Sequence, residues 1–222
     1  MPSPIPEPSN PLPTKRKQPA SSPNPESSEP NESKRTEPKR SKPTAPTLTL
    51  TNHTGDIFSA PPNTLLIHAC NTQGSWGAGI AAAFRDRYPN AYLQYRSHCL
   101  KAHDPRANPV PTGSCLLIPP CETGDVPRHW IGCLFTSAKY GRAKDRPDVI
   151  LTNTGPAMRD LLEEVRAREM GTEGEGEVVS GIRMCKINSA RFGVPWHRTV
   201  EVLEGIVVEE GWKGDAEVWS ID

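Results

Sequence analysis

His68-Ala69-Cys70-Asn71-Thr72-Gln73-Gly74-Ser75-Trp76-Gly77-Ala78-Gly79-Ile80-Ala81-Ala82-Ala83 is the stretch on which the reading of this chain turns. It follows Leu65-Leu66-Ile67, so a short continuous apolar run, as of a strand covered on both faces, passes through a polar turn. Beyond the glycines, Ile80, Phe84 and Tyr88 recur four apart and predict a helix ending at or just before Pro89. The backbone N–H groups of such a helix start have no intrahelical acceptor and sit at the positive end of the helix dipole, which suits phosphate. Glycine lets a diphosphate approach the backbone with no Cβ in the way. A tight turn packed with small residues would use the glycines equally well, but the Asn and the Trp among them favour a binding loop.

Two common phosphate motifs do not fit. No Gly-Lys-Ser/Thr occurs, which excludes a P-loop. Gly77-Ala78-Gly79-Ile80-Ala81-Ala82 matches the dinucleotide fingerprint in form, but six residues separate Cys70 from Gly77. In the fingerprint the first glycine follows the strand almost at once, and an acidic residue ends the next strand. The region near position 100 is helix-like instead, so the Rossmann reading fails.

Outward from the loop, strands and helices alternate. Thr47–Thr51 alternates as a half-buried strand does, and Ala91 to His103 reads as a second helix. Cys115 to Pro119, Trp130 to Thr136, Ile182 to Ile187 and Ala216 to Ser220 read as strands. Ile150, Thr154, Ala157, Leu161 and Val165 fit one helical face, which Pro156 either kinks or starts. Gly171 to Glu177 reads as a Gly/Glu loop, and Trp196, Val200, Leu203 and Val207 mark a last helix. The pattern predicts an α/β domain over residues 47–222, with helices on both faces of a sheet.

Residues 1–46 differ in kind: they hold thirteen of the 25 prolines and almost nothing apolar. Such a segment cannot bury enough surface to offset the entropy of ordering it, so a disordered tail is expected. Its two basic clusters, Lys15-Arg16-Lys17 and Lys34-Arg35 through Lys42, read either as solvated charge or as a nuclear import signal. The net charge is zero, and with eight Lys/Arg against five Asp/Glu in the tail the remainder is mildly acidic. No basic face for nucleic acid is expected, nor a membrane span. The six cysteines form no Cys-x-x-Cys, and reduced buried thiols in a cytoplasmic or nuclear setting are expected, with no metal and no cofactor.

Several segments together resemble the macrodomain family, and within it the small fungal phosphatases of ADP-ribose 1''-phosphate. They are Gly55-Asp56-Ile57, residues 66–81, Cys133-Leu134-Phe135-Thr136-Ser137 and Ile187-Asn188-Ser189-x-x-Phe192-Gly193-Val194-Pro195-Trp196. The resemblance implies a three-layer α/β/α fold with a mixed central sheet, an ADP-ribose-type nucleotide as partner, and a monomer. It implies that Asp56 accepts the adenine amino group, with Gly55 and Ile57 beside it. Asn71, after Ala69 and Cys70, would bond the distal ribose. Residues Trp76, Gly77, Ala78, Gly79, Ile80 and Ala81 would face Ser189, Ala190, Arg191, Phe192, Gly193 and Val194 as two loops clasping the phosphates, with Phe192 against the distal ribose and Asn188 also among the substrate-binding residues.

For chemistry, the resemblance implies removal of the terminal phosphate without a metal, a step in the metabolism of a tRNA-splicing by-product. His68 can exchange a proton near neutral pH, which general acid–base work requires, though a histidine packed in a core strand reads the same way. Many macrodomain hydrolases carry an Asp in the second clasp loop; this chain has Ala190-Arg191-Phe192-Gly193 there. Asp145 and Asp148 are the available carboxylates, and Lys139, Arg142 and Arg191 could offset phosphate charge. Two other activities use the same pocket: release of ADP-ribose from modified protein, and binding without catalysis.

Overall fold

The computed structural model describes residues 45–125, 128–171 and 178–221. Residues 1–44 of the expected tail, and 172–177 of the expected Gly/Glu loop, lie outside them. The Pro46 carbonyl accepts from the Val208 N–H at 2.8 Å.

The first half of the chain supplies β1 (Thr49–Thr54), β2 (Thr64–Asn71), α1 (Ile80–Arg87), α2 (Pro89–Ser97) and β3 (Cys115–Ile118). The second supplies β4 (Trp130–Ser137), α3 (Pro147–Gly171), β5 (Gly181–Cys185), α4 (Trp196–Glu204) and β6 (Asp215–Ser220). The sheet order is β1-β6-β5-β2-β4-β3, parallel throughout except for the antiparallel edge strand β3. Helices cover both faces, giving the three layers and the mixed sheet.

Strand periodicity explains how β2 serves both layers. Leu65 and Ile67 enter the cluster under α3 and α4, while Leu66 and Cys70 enter the cluster under α1 and α2. Gly132 on β4 is needed for close approach: a Cβ there would stand 2.8 Å from a Leu161 methyl of α3. Under α1, the Tyr88 hydroxyl lies 2.6 Å from Nδ1 of His129, whose Nε2 lies 2.9 Å from the Ala60 carbonyl. The carbonyl can only accept, so Nε2 carries the proton and the neutral ring accepts from the tyrosine. Burial lowers the pKa of His129 below its ordinary 6.5, which keeps the ring neutral.

Several boundaries move. α2 begins at Pro89 rather than Ala91, since proline suits the first helical position, and a π-helical turn over His98–Ala102 replaces its last turns. β5 stops at Cys185, and α4 at Glu204, beyond which Val207 makes an isolated bridge with Thr47. Of the two readings of Pro156, α3 follows the continuous one: it does not start there but runs through it from Pro147 to Gly171. Pro156 is exposed, so the carbonyl it leaves without an N–H partner faces water. The opposite face buries Ile150, Ala157, Leu161 and Val165, and several such side chains outweigh the roughly 3 kcal/mol cost of an interior proline.

Strands β2 and β5 are neighbours whose chains then leave in opposite directions across the sheet, β2 towards β4 and β5 towards β6. Such a switch point opens a crevice at the carboxyl ends of the strands.

Candidate functional site

Asn71 closes β2 and shapes the first loop. Its Oδ1 accepts from the N–H groups of Gln73 at 2.9 Å and Ser75 at 3.4 Å, and its Nδ2 donates to the Ser75 carbonyl at 2.6 Å. Both oxygen lone pairs are thereby used, leaving one amide N–H for a ligand. Trp76, only 1% exposed, anchors the loop by stacking on Tyr95 and meeting the His68 ring edge to face. Gly79 then caps α1 at φ 59 and ψ −143, a conformation that essentially only glycine adopts. The loop's path thus presents the first N–H groups of α1 to the crevice.

The opposing loop follows β5. Asn188 stands at φ 64 and is buried, and its side chain faces inward. Thr136 Oγ1 donates to its Oδ1 at 2.9 Å, its Nδ2 donates to Thr154 Oγ1 at 2.9 Å, and Thr154 in turn donates to the Ile150 carbonyl at 2.7 Å. The Val194 and Gly193 N–H groups close the loop onto the carbonyls of Asn188 and Ser189. A third segment joins in: Lys144 Nζ donates to the Arg191 carbonyl at 3.0 Å. Arg191 itself reaches across to Gly79, its Cγ 3.6 Å from where a Cβ would stand.

Between the loops lies a cavity of ≈ 660 Å³. It brings together Ala69, Asn71, residues 76–81 and residues 188–192 of the expected set. Sequence reasoning missed Ser75, Tyr140, Gly141, Lys144, Cys185, Lys186 and Ile187, which also line it. The only local signal was the Tyr140-Gly141 turn, where Gly141 takes φ 63. The Cys185 thiol is pushed up to about 12 by burial, so it stays protonated and is no nucleophile at neutral pH.

The remaining expected residues stand elsewhere. Asp56 caps the short turn Ile57–Ser59 through the Phe58 N–H at 3.0 Å and pairs with Arg87 at 3.2 Å. Gly55 gives its N–H to the Ser220 carbonyl, Ile57 is buried, and none of the three lines the cavity. Cys70, Gly193 and Val194 are likewise outside the lining, Cys70 because its side chain turns to the α1/α2 layer. None of the three expected catalytic side chains lines it either. His68 is fully buried and stacked on Phe84 at 4.2 Å. Asp145 accepts from the Ala138 N–H at 2.6 Å and from Ser137 Oγ at 3.2 Å, holding the turn after β4. Asp148 pairs with Arg146 at 3.0 Å in the first turn of α3.

The cavity lining therefore contains Arg142, Lys144, Lys186 and Arg191 and no Asp or Glu. A second, open groove of ≈ 570 Å³ has a wall of mixed charge, Asp160, Glu163 and Glu209 beside Arg159 and Arg166, and lacks the uniformly basic lining.

Residues 67–203, which contain both clasp loops, match the family model described as Macro domain. The chain belongs to the macrodomain family. Among curated relatives, an ADP-ribose 1''-phosphate phosphatase of Chaetomium globosum is 46% identical over 168 residues, 74% of this chain and 87% of that one. A protein of the same name from Neosartorya fischeri is 41% identical over 182 residues, 72% of this chain and 91% of that one. Among solved structures, the Oceanobacillus iheyensis macrodomain superposes with TM-score 0.56 at 18% identity, covering 79% of this chain and 86% of that one. The macrodomain of Thermus aquaticus DarG gives TM-score 0.54 at 20% identity, covering 78% and 98%. Among the described residues of this macrodomain no helix is long and apolar enough to cross a membrane.

Proposed function

We propose that this macrodomain hydrolyses the terminal phosphate monoester of ADP-ribose 1''-phosphate, giving ADP-ribose and phosphate. The observation that carries the reading is the lining charge: four basic side chains and no carboxylate around a cavity of ≈ 660 Å³. A diphosphate alone brings roughly two negative charges, and a monoester adds about 1.5 to 2 more. The helix start and loop backbone suit the diphosphate, and the surplus of cations suits the added phosphoryl oxygens. Fixed donors in a water-poor site stabilise charge that develops in the transition state, usually the largest single contribution to such a step. Asn71, with one amide N–H to spare, positions the distal ribose. The names of the curated relatives support the same substrate.

The test runs the full chain in three assays: phosphate release from ADP-ribose 1''-phosphate, release of ADP-ribose from an ADP-ribosylated protein, and calorimetric binding of ADP-ribose. Phosphate release that falls by at least tenfold in Arg142→Ala supports the reading. Binding with no phosphate release, or turnover confined to the modified protein, overturns it.

A further inference from the structure

We propose that His68, Cys70 and Cys133 form a site for one thiophilic divalent cation of the zinc class, on the α1/α2 face of the sheet beneath the nucleotide loop. The juxtaposition follows from strand geometry. Alternation puts His68 and Cys70 on one face of β2, and the parallel register sets Cys133 of β4 opposite His68. All three side chains are buried, and their donor atoms lie within 4.8 Å of one another.

The distances are within reach of a coordination polyhedron. Zinc holds sulphur at about 2.3 Å and imidazole nitrogen at about 2.0–2.1 Å, which places tetrahedrally related donors about 3.5–3.8 Å apart. Cys70 Sγ stands 3.6 Å from both ring nitrogens of His68, so the ring must turn by a small rotation to aim one nitrogen at a shared ion. Cys133 has to close by no more than about 1 Å from the outer limit to become the third protein donor, which leaves the fourth tetrahedral position to a water or other small ligand.

Charge and softness select the ion. A dry site rejects isolated charge, but a divalent cation, two thiolates and a neutral imidazole sum to zero, the thiol protons going to solvent. Two sulphurs and a nitrogen favour zinc or cadmium over magnesium or calcium, which take oxygen donors. A separate observation points the same way. Trp76 Nε1 is buried with no well-formed hydrogen bond, its ring packs 4.7 Å from that of His68, and the Cys70 sulphur is the acceptor within its reach. A metal-bound thiolate supplies an acceptor for an N–H held there, as outer donors commonly do around ligating sulphur. Phe84, stacked on the His68 ring, fixes its plane.

Such an ion would tie β2 to β4 and, through Trp76, stiffen the loop that faces the nucleotide. It touches no reacting group, so it stands independently of the proposed hydrolysis. Spacing alone hid it, since the ligands come from a His-x-Cys on one strand and a single cysteine on another.

The full chain, stripped of metal by a chelator, is titrated with Zn²⁺ and separately with Cd²⁺. Expected are one tightly held equivalent, a thiolate-to-cadmium charge-transfer band, and an unfolding midpoint that rises with free ion. Cys133→Ser and Cys133→Ala should lose the equivalent and the band, while Cys121→Ser keeps both. Cadmium NMR on the unsubstituted chain distinguishes sulphur from oxygen donors without any substitution. No stoichiometric uptake by the parent, an oxygen-type cadmium shift, or equal uptake by a folded Cys133 variant would overturn the site and leave only a sulphur–imidazole contact.

Discussion

Thr154→Val is the perturbation whose consequences the structure specifies most fully. Valine matches threonine in shape, so packing in the middle of α3 is kept while the hydroxyl is removed. The lost bond to the Ile150 carbonyl costs little, because that carbonyl also serves the helix ladder. The bond from Asn188 Nδ2 is different. Asn188 is 3% exposed, so its amide is left without a partner away from water, a cost of about 1–3 kcal/mol. For a domain of this size the unfolding midpoint should fall by about 2 to 12 °C.

The effect should reach the cavity as well. Asn188 is held at φ 64, which a side chain other than glycine adopts at a cost of roughly 1–2 kcal/mol, and its amide bonds are what hold it there. Released, the second clasp loop must be reordered when ligand binds. A reordering cost near 1.4 kcal/mol weakens affinity about tenfold. Thermal unfolding and calorimetry with ADP-ribose read the two effects separately. Thr154→Ser, which restores the hydroxyl, should recover both. A variant with a lowered midpoint but parental affinity would show that the relay supports the fold without positioning the clasp, and failure of the serine to rescue would refute the hydrogen-bond argument.

Other consequences are simpler to state. Asp56→Ala removes the cap on the Phe58 N–H and the pair with Arg87, so a stability loss of ~1 kcal/mol is expected in thermal unfolding; since the carboxylate stands outside the cavity lining, ADP-ribose and ribose 5-phosphate should bind as to the parent, and selective weakening of ADP-ribose would show an adenine contact there. Gly79→Ala should cost roughly 1–3 kcal/mol in stability from backbone strain alone at φ 59, and differential scanning calorimetry checks it. Acid should destabilise the domain through His129. Its folded pKa lies below 6.5, so the unfolded state takes up the proton first and stability falls as pH drops below that value, being fully present above it. Denaturant midpoints measured from about pH 7.5 down to about pH 5, a range that spans the ordinary histidine value, should slope less in His129→Gln.

Much of this architecture is written in local residue patterns. The apolar run 65–70, the four-residue recurrence of Ile80, Phe84 and Tyr88, and the glycine loop between them place a strand, a phosphate-facing turn and a helix, because each depends on neighbours a few positions apart. The clasp loops were legible for the same reason, since glycine positions with positive φ and a helix start are properties of the chain itself. Packing decided the rest. Pro156 breaks a helix by its local chemistry, yet α3 runs through it because the opposite face is buried against β4. The acid–base candidates show the limit most clearly. His68, Asp145 and Asp148 have suitable chemistry and flank the right motifs, but the direction of a side chain depends on register, on the turn after β4 and on pairing with Arg146. Lys144 and Lys186, unremarkable in sequence, become cavity residues only when three distant segments meet at the ends of β2 and β5. Short-range rules determine what each segment forms; which charged groups share one cavity is settled by contacts between residues far apart in the chain, and these exist only once the sheet has assembled.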